Sequence, residues 1–214
     1  MPSGYHRSRS TAHTNVKLQG GVKHPTTTLA ARLAEIGELF EQAAASEYPA
    51  QIERAALLIG DALQQGHKLL AFGNGGSATD AQHFCGELVV RFQTHRRALA
   101  ALALVSDAAV LTACANDYSY REVFARQIEG LGQPGDVAFA ISTSGSSPNV
   151  VRALEVARSQ GLTTILLTGL NPGPARDCCD LLISAPAGNT ARIQELHLAA
   201  YHLISELMDV RFPA

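Results

Sequence analysis

Two histidines, a glutamate and a glutamine carry the clearest chemistry in this chain. His83 and Glu87 stand four positions apart in a stretch with helical periodicity. One helix face therefore presents an imidazole nitrogen and a carboxylate within reach of a single ion. Gln194, His197 and His202 occupy a second helical stretch near the C-terminus. At about 100° per residue, His202 lies about 80° to one side of Gln194 and His197 about 60° to the other. Helical spacing leaves both histidines open as partners. Two imidazoles, a carboxylate and an amide oxygen would suit zinc with room for a substrate oxygen. The amide makes the site looser than an all-His/Cys one, as an exchangeable or catalytic metal needs. A His/Glu pair at this spacing is more often a plain surface interaction. Its place just after a glycine-rich loop favours the functional reading.

That loop is Gly73, Asn74, Gly75, Gly76 and Ser77, and a second one runs from Ser142 through Thr143, Ser144, Gly145, Ser146 and Ser147 to Pro148. Each follows an apolar strand-like run and leads into a helical pattern. Such loops expose backbone N–H groups at a helix N-terminus, where the dipole favours an anion. Ser147 can cap the following helix and Pro148 can take its first position. Neither loop holds a Lys or Arg. Dipoles and hydroxyls would hold the anion, which suits a sugar phosphate better than a triphosphate.

The elements that must position these groups alternate. Leu29, Leu33, Ile36 and Phe40 mark one helix, and Ile52, Ala56, Ile59 and Leu63 a second. After them the pattern predicts strands over 68–72, 99–105, 137–141, 163–167 and 180–184. Helices are expected over 78–92, 108–115, 121–131, 149–160 and 191–208. Short apolar strands separated by helices mean a parallel sheet covered on both faces, with ligands beyond the carboxyl ends of the strands. The leading helical hairpin lies outside the alternating core and fits contact with a sister subunit. Residues 1–27 are polar, lack periodicity and read as a disordered tail in which His6, His13 and His24 are solvated. Residues 28–214 read as a single domain.

Composition narrows the function classes. A formal charge of −2 argues against broad nucleic-acid binding. No apolar run is long enough to span a bilayer, and the N-terminus lacks a signal-peptide core. Cys85, Cys114, Cys178 and Cys179 have no CxxC spacing, which suggests a reducing cytoplasm. Cys85 and Cys114 read as small buried hydrophobes. His67 and His95 read as solvent-facing, and Arg96 with Arg97 as an exposed turn.

Five motifs together resemble the phosphoheptose isomerases of the sugar-isomerase (SIS) domain superfamily. They are Phe72 to Ser77, Asp80 to Phe84, Asn116 with Asp117, Ile141 to Gly145, and Arg192 to Glu195 with His197 and His202. The resemblance spares only the N-terminal tail. It implies a three-layer, doubly wound, five-stranded parallel sheet of flavodoxin-like order. It implies a cytoplasmic homotetramer that isomerises sedoheptulose 7-phosphate, with one zinc ion per subunit. Asn74, Gly75, Gly76, Ser77, Asn116 and Asp117 match the substrate contacts, and Ser142, Thr143, Ser144 and Ser147 the phosphate cradle. His83, Glu87, Gln194 and His202 match the zinc ligands, Glu87 and Gln194 also facing substrate. Glu87 and His202 would form the proton-transfer pair. His197 matches a non-ligand position and is assigned a structural hydrogen-bonding role. Ala191 departs from the Asp that some members carry, and Gly86 from an acidic residue common before the ligand glutamate.

Two other readings compete. Gly73, Gly75 and Ala78 satisfy a relaxed dinucleotide-binding pattern, but no acidic residue follows about 20 positions on, and the serine loop stays unexplained. The other is a non-enzymatic SIS protein, either a sugar-phosphate-sensing regulator or a replication-initiator-associating one, the latter resembling the isomerases but lacking the full metal set. Here both histidines and Glu87 are present.

Overall fold

The computed structural model describes residues 28–214, so the tail expected over 1–27 and its histidines lie outside the described residues. The chain opens with α1 (Leu29–Ala44) and α2 (Tyr48–Gln64). Alternation follows: β1 (Leu69–Gly73), α3 (Gly76–Val89), β2 (Ala101–Ala103), α4 (Ala108–Asp117), α5 (Ala125–Leu131), β3 (Val137–Ser142), α6 (Pro148–Ser159), β4 (Thr163–Thr168), β5 (Leu181–Ser184) and α7 (Thr190–Arg211). Helix starts follow cap chemistry: the side chains of Thr28, Asp107 and Asn189 accept first-turn N–H groups of α1, α4 and α7. No helix of the described residues is long and apolar enough to cross a membrane.

All five strands are parallel, in the order β2-β1-β3-β4-β5. This is the flavodoxin-like doubly wound arrangement, and its winding reverses between β1 and β3. Strand alternation feeds two cores. Leu69 and Ala71 face the layer of α2, α3 and α7, while Leu70 and Phe72 face that of α5 and α6. Both small-residue loops leave the carboxyl ends of β1 and β3, which are neighbours in the sheet.

Several elements differ from the sequence expectation; α3, for one, ends at Val89 rather than at 92. β2 is a three-residue edge strand paired only with β1. The helix expected over 121–131 divides into a 3-10 turn at Tyr120–Glu122 and α5. β5 begins at Leu181 because the Asp180 carboxylate accepts the Thr164 N–H and hydroxyl, both at 2.8 Å. Cys85 and Cys114 are buried and His95 is exposed. His67 is not solvent-facing as expected but half-buried, 3.8 Å from the Asp136 carboxylate.

The serine loop depends on Gly145, whose φ is +58°. A Cβ there would meet the Pro172 carbonyl oxygen at 1.7 Å. Gly145→Ala should therefore destabilise the fold by about 2 kcal/mol or more. In thermal unfolding this reads as a midpoint lowered by about 4–8 °C.

Candidate active site

Helices α3 and α7 pack side by side and bring distant donors together. His83 Nε2 lies 3.0 Å from Glu87 Oε1, one turn further along α3. The rings of His83 and His202 stand nearly perpendicular with centroids 5.1 Å apart. One donor atom from each of His83, Glu87 and His202 falls within 4.8 Å of the other two. The Nε2 atom of His202 is buried and has no hydrogen-bond partner among the described residues. A buried nitrogen left unsatisfied is costly unless something binds it. Burial and the neighbouring His83 hold the His202 pKa below the usual histidine value, against the pull of Glu87 and Glu206. The neutral imidazole thus favoured is the form that ligates metal. This donor set fits a divalent cation such as zinc.

Gln194 comes from α7, eight residues before His202. Its amide lies against Gly76, where a Cβ would come 2.3 Å from Nε2. It therefore stands at the loop end of the same helix pair. His197 is fully buried in the apolar layer, and neither ring nitrogen has a hydrogen-bond partner. The structural role expected for it fits a neutral side chain packed in the core, with the Thr168 backbone as its polar neighbour. Burial pushes its pKa down to about 4, with the nearby Thr168 backbone opposing.

Asn74 joins the two loops. Its side-chain amide exchanges two hydrogen bonds with that of Asn149, each 2.9 Å, and its oxygen also accepts the Tyr120 hydroxyl at 3.0 Å. Asn149 is only 3% exposed, so this pairing satisfies an otherwise buried amide. Ser77 is buried and its N–H bonds the Asn74 carbonyl at 3.0 Å. Gly75 has φ +56°, which sets the turn. The Ser142 hydroxyl accepts the Gly145 N–H at 3.1 Å, and the hydroxyls of Ser144 and Ser146 pair at 2.8 Å. Thr143 and Ser144 line a cavity of about 200 Å³ shared with Thr190 and Ile193 of α7. Ser147 occupies the N-cap position of α6 without a capping bond, so its hydroxyl stays available. Asn116 and Asp117 are exposed at the end of α4 and bond each other at 2.8 Å. Asn149 and Tyr120 escaped the sequence reading because nothing in the local pattern marks an amide or phenol that reaches across loops.

Arg96 is not part of an exposed turn. Its guanidinium is fully buried and pairs with Asp209 at 2.9 Å, that carboxylate also accepting the Gln93 and Thr94 N–H groups at 2.8 Å. It also donates to the carbonyls of Leu88 and Glu87, at 2.7 and 2.5 Å. Those carbonyls end α3, so the arginine caps that helix and ties it to the last turns of α7. Burial would raise the Asp209 pKa, but hydrogen bonds from Thr94, Gln93 and Arg96 outweigh it and hold the carboxyl below its usual range.

The sequence model of the SIS domain family matches residues 33–169. The phosphoheptose isomerase of Paramagnetospirillum magneticum is 54% identical over 149 residues, spanning 70% of this chain and 78% of its own length. That of Thiobacillus denitrificans is 50% identical over 169 residues, spanning 78% of this chain and 86% of its own. The solved phosphoheptose isomerase of Neisseria gonorrhoeae superposes with a TM-score of 0.79 at 38% identity, covering 85% of this chain and 96% of its own. The sugar isomerase domain of an RpiR transcription factor from Sphaerobacter thermophilus shares the fold, with a TM-score of 0.58 at 18% identity over 87% of this chain and 93% of its own.

Two outcomes follow from the buried groups. Arg96→Met leaves Asp209 buried without its cation and should cost about 3–5 kcal/mol in denaturant unfolding. His197 binds its proton less readily folded, with a pKa of about 4 against 6.5. Its contribution is complete above pH 6.5 and is lost as the pH falls towards 4, by about 3 kcal/mol in total. His197→Leu should flatten the pH dependence of unfolding across that window.

Proposed function

The chain belongs to the SIS domain family and, within it, to the phosphoheptose isomerases, and from this premise we propose that it converts sedoheptulose 7-phosphate to D-glycero-D-manno-heptose 7-phosphate. This is a sugar-phosphate isomerisation of the aldose–ketose class and the first step of nucleotide-activated heptose biosynthesis. The observation that carries the reading is the approach of His83, Glu87 and His202 within 4.8 Å of one another.

The reaction moves a proton between adjacent carbons and needs a base, an acid and stabilisation of developing negative charge. The serine loop would hold the distal phosphate through backbone N–H groups at the start of α6 and the hydroxyls of Ser142, Thr143, Ser144 and Ser147. Asn74, Gly75, Gly76, Ser77, Gln194, Asn116 and Asp117 would hold the sugar, so that remote binding becomes orientation at the reacting end. Glu87 is the candidate base: Oε1 faces His83, which leaves Oε2 to take the carbon-bound proton and return it to the neighbouring carbon. His202, whose Nε2 has no hydrogen-bond partner among the described residues, would move the proton between the sugar oxygens while that nitrogen is off the metal, so its coordination, like that of Glu87, would have to be exchangeable. When bound, zinc held by His83, Glu87, Gln194 and His202, one ion per subunit, supplies Lewis-acid chemistry at the same end. A carboxylate serving as both ligand and base calls for weak or exchangeable coordination by Glu87. Ala191 sits exposed in the first turn of α7, so no carboxylate from that position assists.

The same reading makes residues 28–214 one SIS domain and the enzyme a cytoplasmic homotetramer. Exposed Leu29 and Leu33 on α1 and Val210 on α7 support self-association.

Incubation with sedoheptulose 7-phosphate should yield the aldoheptose phosphate, and a chelator should suppress it. His202→Ala should lower kcat about 100- to 10,000-fold with folding retained. Wild-type turnover by that variant refutes the role given to His202.

A further inference from the structure

Tyr201 sits beside the metal-competent trio without belonging to it. It is fully buried, and its ring packs against those of Phe84 and His202, with centroids 5.8 and 5.1 Å away. A phenylalanine would satisfy that packing. Burying a phenolic oxygen is unfavourable unless it is paired, so the hydroxyl calls for a separate account. It lies 3.0 Å from His83 Nδ1 and 3.4 Å from Asp80 Oδ1. Asp80 and His83 are three residues apart on α3, hence on one face, and Tyr201 reaches between them from α7. The other carboxylate oxygen of Asp80 is buried and has no partner.

We infer that Asp80 and Tyr201 form a buried relay that fixes the tautomer of His83, making Tyr201 a positioning residue for the cation site. The inference rests on the metal-binding reading above. The proton count sets the direction. An ionised carboxylate only accepts, and a phenol has one proton to give. Tyr201 therefore donates to Asp80 and accepts from His83 Nδ1–H. A neutral imidazole protonated at Nδ1 carries its lone pair on Nε2. Nε2 then meets Glu87 Oε1 at 3.0 Å lone pair to lone pair, an arrangement that a cation between them satisfies and that Glu87 opposes in the metal-free protein by favouring Nε2–H. The relay thus aims the ring and favours a ligating nitrogen free of a proton, as outer partners do for histidines that bind metals.

The test uses metal-stripped full-length protein labelled with ¹⁵N-histidine, and then titration with zinc against a chromogenic chelator. In the wild type, two-bond ¹H–¹⁵N correlations should show a larger Nδ1–H fraction of His83 than in either Tyr201→Phe or Asp80→Ala. Tyr201→Phe removes the acceptor and Asp80→Ala frees the phenol proton to point at Nδ1, so both should shift His83 towards the Nε2–H form. Zinc affinity should fall about 10- to 100-fold in Tyr201→Phe, with the thermal midpoint of the metal-free protein within a few degrees of wild type. The Asp80→Ala measurement stands on its own if Tyr201→Phe fails to fold. Tautomer fractions and zinc affinity unchanged from wild type in the variants overturn the relay. An Nδ1–H fraction that falls in both variants, in a protein that binds no zinc, upholds the relay and overturns the metal reading instead.

Discussion

The lateral packing of α3 on α7 is the constraint on which the site depends. It repeats along the pair: Gly76 against Gln194, Asp80 and His83 against Tyr201, His83 against His202, and the end of α3 tied through Arg96 to Asp209. The His83–Tyr201 bond alone joins residues 118 positions apart. Ordering so long a separation costs conformational entropy that a few polar contacts cannot offset. The apolar seam of Phe84, Leu88, Leu196, Ala200 and Tyr201 supplies the driving force, and the polar contacts set register within it.

The second constraint is the sheet. The winding reversal places the loops after β1 and β3 next to each other, with α3 and α6 starting at the same edge. The Asn74–Asn149 amide pair then fastens one loop to the other. With no Lys or Arg in either loop, the cup proposed for the phosphate would offer fixed dipoles rather than mobile charge. Fixed dipoles need no reorganisation when a ligand arrives, which suits a pocket whose task is to orient a substrate.

Burial separates the three histidines of this region more sharply than their spacing does. His197 points into the apolar layer and is held neutral by burial alone. His202 lies at the layer's margin, where its buried Nε2 meets no protein donor or acceptor. His83 is the most open of them, with nearly half its side chain exposed and both nitrogens near partners. A graded environment of this kind suits one residue type to packing at one end and to the proposed ligand chemistry at the other.

Sequence alone determined what backbone periodicity and loop chemistry control. The alternating parallel fold, the two loops at helix starts and the sharing of one face by His83 and Glu87 all follow from spacings within single elements. It could not choose between His197 and His202 from spacing, because helical angle says nothing about which side another helix covers. It read Arg96 as exposed because a charge pair between elements looks like a turn until its acidic partner, 113 residues away, is known. Asn149, Tyr120 and the Tyr201 hydroxyl were silent for the same reason. Their roles are defined by what stands opposite them, and only packing of the sheet and of α3 on α7 decides that.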